Sequence, residues 1–203
     1  MIKTERVEFN PDDSYIYVVA SALAYCPADR IMNGACGRAS KLAKESKLVP
    51  IHAYQNKEAI DSIGYTILHR DDKDEIIIAF SGTKSYPQLM SEVARSFYVD
   101  YTIHADFKGA RVMDYFYSFY VNQFRKDLQD QLKNHLEVHP DDTVVFTGHS
   151  LGGAMTVHAS IDTILAGWLD KSQLLVYTYG QPRVGNRVFI DTIIEGLKVP
   201  SVS

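Results

Sequence analysis

Glycine, histidine, serine, leucine and glycine follow one another at 148–152. Gly-x-Ser-x-Gly is a spacing in which a serine hydroxyl can be set up as a nucleophile. The flanks decide whether it is. Thr143–Thr147 (TVVFT) is a short β-branched run that reads as a strand, and Leu151 to about Leu169 reads as a helix. A sharp turn between them would force Ser150 into a strained backbone conformation at a helix N-terminus, where the dipole favours developing negative charge. Glycines at 148 and 152 would let strand and helix approach. A tight connection carrying an idle serine would use the same residues. A second feature complements the first. Phe80-Ser81-Gly82-Thr83 ends the apolar run Ile76–Phe80. Acyl transfer needs two N–H groups aimed at an oxyanion. The residue after the serine, Leu151, offers one, and the Gly82-Thr83 loop offers the other. A plain strand-end turn accounts for that loop equally well.

The elements that must position these residues can be read along the chain. Asp13 to Tyr25 has an Asp/Ser start followed by a dense apolar run, and reads as a largely buried helix. Tyr65–His69 and Glu75–Phe80 read as strands joined by the polar turn Asp71–Asp74. Ile76–Phe80, apolar at every position, suits a central strand buried on both faces. From Val112 to His139, Met113, Phe116, Tyr117, Tyr120, Phe124, Leu128, Leu132 and Leu136 recur at three or four. This predicts a long amphipathic helix that Pro140 ends. Gln173–Tyr179 reads as a buried strand and Arg187–Leu197 as a helix. Strand and helix in alternation predict a parallel α/β sheet.

Three stretches together carry a resemblance: GHSLGGA at 148–154, IIIAFSGT at 76–83 and YTYGQPRVGNRVF at 177–189. They resemble the class 3 lipases, the α/β-hydrolases that include filamentous-fungal triacylglycerol lipases and a feruloyl esterase branch. The likeness spans about Ala24 to the C-terminus. It implies one α/β-hydrolase domain over 1–203, with a mostly parallel central sheet flanked by helices. It implies Ser150 as nucleophile, Thr83 donating its N–H and hydroxyl to the oxyanion, and Leu151 donating the second N–H. It implies an ester substrate, triacylglycerol or another lipid ester, and no metal or organic cofactor. It also implies a mobile lid after Thr83. Tyr86, Leu89, Met90, Val93 and Phe97 do fall at helical spacing behind Ser85 and Pro87. A lid over 86–98 could touch a lipid interface; an ordinary surface helix would show the same stripe.

The sequence departs from that family in two places. Ser81 stands where the family has arginine, which puts the anchoring of the loop in question. More consequentially, 14 residues follow Phe189, without the Asn-Asp-x-Val-Pro segment that carries the family's acid, and no histidine follows His158. The expectation is therefore a fold incomplete at its C-terminus, lacking the Asp/His segment. Such a fold would expose a sheet edge that invites self-association. Besides the serine carboxylester hydrolase, a non-catalytic fragment that only binds acyl chains stays open, as does an acyltransferase using the same serine.

Composition narrows the rest. The 203 residues carry 21 Lys plus Arg against 25 Asp plus Glu, a net charge of -4, so there is no basic excess for nucleic acid. No apolar run reaches the ~18 residues of a membrane span. The opening MIKTERVEFNPDD lacks the apolar core of a secretory signal. Cys26 and Cys36 are a local disulfide if the chain is secreted or lumenal and two thiols if it is cytoplasmic. The family's similar Tyr-Cys start to this region favours the bridge. His149 is expected to pack. His52, His69, His104, His135 and His139 show no metal spacing, although His135 and His139 share a helix face.

Overall fold

The computed structural model describes residues 9–56, 63–83, 91, 95–105 and 107–197. Its centre is a sheet of five strands: β1 (Leu48–Gln55), β2 (Gly64–Arg70), β3 (Glu75–Phe80), β6 (Thr143–His149) and β7 (Leu174–Tyr179), in the order β1-β2-β3-β6-β7. A separate hairpin pairs β4 (Tyr98–Asp100) with β5 (Arg111–Met113). The expected α/β arrangement is present, with the sheet mixed rather than mostly parallel. β1, β2 and β3 run antiparallel, and β3, β6 and β7 run parallel.

The apolar run in β3 explains its central place. Ile76, Ile78 and Phe80 point into one buried cluster, with Phe116, Phe124, Phe146, Leu151 and Met155. Ile77 and Ala79 point into the other, with Tyr17, Leu23, Val145 and Tyr177. Alternate residues thus feed cores on both faces, as the two-residue period of a strand dictates. The second core is closed by α1 (Pro11–Leu23), α2 (Ala28–Met32) and α3 (Arg38–Glu45). Asn10 caps α1, its Oδ1 accepting from the N–H groups of Asp12 and Asp13.

The first core lies under α4 (Asp114–Phe119), a π-turn at Tyr120–Phe124, α5 (Arg125–Val138) and α6 (Leu151–Leu165). The long helix starts two residues later than its periodicity predicts. Val112 is drawn into the hairpin opposite Val99 and also bridges to Gly185. Helix α6 stops before Leu169, at the left-handed Gly167. A 3-10 turn, Lys171–Gln173, precedes β7, and α7 (Arg187–Asp191) runs on into a π-helical stretch, Thr192–Leu197. The expected lid, 86–98, lies outside the described residues apart from 91 and 95–98. Ser91 and Arg95 are helical, and Tyr98 is already in β4. None of the helices among the described residues is long and apolar enough to cross a membrane.

Candidate active site

Ser150 sits between β6 and α6 with φ 57° and ψ -124°. A left-handed φ at a non-glycine residue costs on the order of 1–3 kcal/mol and persists where its surroundings over-determine it. Two hydrogen bonds hold it: the Ser150 N–H donates to the Tyr179 carbonyl at 2.9 Å, and the Gly153 N–H donates to the Ser150 carbonyl at 2.9 Å. The glycines permit the crossing of strand and helix. A Cβ on Gly148 would lie 2.3 Å from the Gly152 carbonyl carbon, and one on Gly152 would lie 2.3 Å from the Phe80 carbonyl oxygen. This is the sharp strand-to-helix turn that the sequence predicts.

The loop after β3 lies directly against that turn. Phe80 pairs with Gly148, and two residues on, a Cβ at Gly82 would come 2.6 Å from the His149 carbonyl oxygen. Thr83 is half-buried, Ser150 is half-buried, and Leu151 is fully buried at the start of α6. The three residues singled out by the sequence are thus brought to one end of the parallel strands. Ser81 answers the question its departure raised. Its hydroxyl accepts from the Gly64 N–H at 2.8 Å and donates to the Gly64 carbonyl at 3.1 Å, while its own N–H donates to the same carbonyl at 2.9 Å. The loop is anchored to β2 without an arginine.

His149 departs from expectation. Its ring is exposed rather than packed in the core, and Nδ1 is hydrogen-bonded to the Tyr25 hydroxyl at 2.8 Å. Burial raises the Tyr25 phenol above its ordinary pKa, opposed by a hydrogen bond from the Gly82 backbone. Tyr25 is the residue that sequence reasoning passed over. It was visible only as the tyrosine beside Cys26, which is bonded to Cys36 across a Cα–Cα distance of 6.0 Å.

No histidine reaches the Ser150 hydroxyl through a hydrogen bond among the described residues. His158 is fully buried, against Tyr101, Tyr117, Tyr120 and Phe189, and neither ring nitrogen has a partner there. Burial lowers its pKa to about 3. Three of the later acids are engaged elsewhere. Asp162 accepts from the Tyr120 hydroxyl, Arg125 and Gln129; Asp191 pairs with Arg187; Asp170 caps the 3-10 turn. At the far end of α5, His135 and His139 do stack, with ring centroids 4.8 Å apart, and Asp142 Oδ2 lies 2.8 Å from His135 Nε2.

Residues 77–199 match the family described as lipase (class 3). A lipase of Rhizopus niveus is 32% identical over 180 residues, 85% of this chain and 42% of that protein. The solved structure of a lipase from Rhizopus microsporus var. chinensis superposes with a TM-score of 0.78 at 29% identity, over 93% of this chain and 63% of the other. A triacylglycerol lipase structure in which a serine protease triad forms the catalytic centre gives 0.76 at 25% identity, over 91% and 66%. The chain spans 42% of the length of the first curated relatives it matches.

Proposed function

The chain belongs to the class 3 lipase family, and from that premise we propose that the protein carrying it is a serine carboxylester hydrolase acting on lipid esters. The observation that carries this reading is the strained Ser150 at the start of α6, with the Gly82-Thr83 loop against it. In the proposed reaction Ser150 Oγ attacks the ester carbonyl carbon and gives its proton to a base. The carbonyl oxygen becomes an oxyanion that accepts from the Thr83 and Leu151 N–H groups. The C–O bond to the alcohol breaks, the alcohol leaves with the proton, and water then cleaves the acyl-enzyme. The chain's own residues account for nucleophile and oxyanion, and no metal or organic cofactor enters the scheme. The base and its carboxylate are left unassigned among the described residues: His158 is sealed in the core and the His149 Nδ1 faces Tyr25. The segment 86–98 is assigned as a lid that meets lipid when open. The Cys26–Cys36 bridge supports a secreted or lumenal setting.

A fluorophosphonate probe applied to the natural full-length protein tests the assignment. Labelling at one site, abolished by Ser150→Ala, is the expected result. Labelling that survives this substitution refutes it. The second reading, a fragment that only binds acyl chains, is favoured by one observation: no base contacts Ser150 among the described residues. It applies to the 203-residue chain taken alone.

A further inference from the structure

The two halves of the proposed oxyanion hole sit on different strands. Leu151 follows β6 and Thr83 follows β3. The β3–β6 ladder that fixes one strand against the other ends at Phe80–Gly148. Beyond that pair the two backbones must be held by something else, because two donors serve one oxygen only if their spacing is kept within about 0.5 Å. Tyr25 stands at this gap. Its hydroxyl lies 2.8 Å from His149 Nδ1 and 3.5 Å from the His149 carbonyl oxygen. On the other side it meets Gly82 so closely that a Cβ there would lie 2.3 Å from the phenol oxygen. A phenol has one proton to donate and lone pairs that accept. The Tyr25 hydroxyl thus hydrogen-bonds His149 Nδ1 on the serine turn and lies directly against the Gly82 backbone on the β3 loop.

We propose that Tyr25 is a positioning residue whose hydroxyl clasps the β3 loop to the serine turn and so sets the separation of the two oxyanion donors. The tyrosine is held for this from both sides. Its N–H donates to the Ala22 carbonyl at the end of α1, and the next residue is tied through Cys26–Cys36 to the far end of the α2 loop. The aromatic ring is half-buried and tilted against the His149 ring. Removing only the hydroxyl would leave that packing in place and release the loop at Gly82 from the serine turn. The inference rests on the hydrolase reading, since a clasp matters only where an oxyanion forms.

Tyr25→Phe in the natural full-length protein, assayed on a soluble short-chain ester, tests it. The expected result is a roughly 10-fold fall in kcat with KM changed less than about twofold, because oxyanion donors act on the transition state and not on substrate binding. Hydrogen exchange at the Gly82 amide should quicken in the same variant. A general loss of folding would lower the melting temperature and the active fraction without changing kcat per labelled Ser150. Unchanged kcat per labelled site, or a rise in KM alone, overturns the clasp. Absence of Ser150-dependent turnover in the unsubstituted protein overturns the hydrolase reading itself, and that result is seen before Tyr25 is touched.

Discussion

Ser150 and His158 lie on the same helix run and meet opposite fates. Ser150 is held at a left-handed φ of 57° at the half-buried start of α6, whereas His158 is sealed two turns further on. A histidine buried without partners is a cost that depends on pH. In the folded protein His158 takes up a proton only near pH 3, while in the unfolded chain it does so near 6.5. The unfolded state therefore binds more protons throughout that window. The stability this group contributes is complete above about pH 6.5 and is lost as pH falls towards 3, on the order of 5 kcal/mol in all. His158→Leu should remove this loss. Urea midpoints at pH 7 and pH 4 should lie closer together in the variant, and an unchanged gap would show that other groups set the acid sensitivity. At this scale Ser150, Gly148 and Gly152 were legible in the sequence, because a turn of five residues is local chemistry. The Tyr25–His149 contact was not legible, because it joins residues 124 positions apart.

The same division between local and distant signals holds for elements. Strands β3 and β6 and helices α1 and α5 announce themselves through apolar runs or periodicity. β1 does not: LVPIHAYQ contains Pro50, and its register slips between Pro50 and His52. Proline is tolerated there because β1 is an edge strand among the described residues. β4 and β5 are three residues each and exist by pairing with one another, so no periodicity could reveal them. Val112 shows the competition plainly, fitting the helical stripe in sequence and yet drawn into the hairpin by Val99 and Gly185. The lid assignment for 86–98 concerns the residues between the Gly82-Thr83 loop and β4. If its apolar stripe covers the site in water and faces lipid when open, the natural protein should hydrolyse an ester faster above the concentration at which that ester aggregates. Rates measured across that concentration with one ester check this, and a smooth saturation curve with no break would count against a lid.

In the molecule as a whole, both cores share one sheet, and the candidate site lies where the parallel strands β3 and β6 end. β7 is the outermost strand on that side, paired with β6 alone among the described residues. Unpaired backbone groups along a strand edge template association. The 203-residue chain taken alone should thus form oligomers as its concentration rises, and a monodisperse monomer in light scattering at high concentration would contradict this. Catalysis by that same chain can be argued from the site. A serine hydroxyl at neutral pH is a poor nucleophile and needs a base within about 3 Å. His158 lies eight residues along α6, about 12 Å at roughly 1.5 Å per residue, and is buried. The His149 Nδ1 is committed to Tyr25, and Asp162 is committed to Arg125, Tyr120 and Gln129. Loss of the base from a serine protease triad costs on the order of 10⁶ in turnover, about 8 kcal/mol, and leaves only oxyanion and binding effects. The 203-residue chain should accordingly hydrolyse a p-nitrophenyl ester barely faster than its Ser150→Ala variant, while the natural full-length protein turns it over at ordinary esterase rates. Fast hydrolysis by the 203-residue chain, abolished by Ser150→Ala, would mean that one of the seven histidines reaches Ser150 after all, and replacing them singly would identify it.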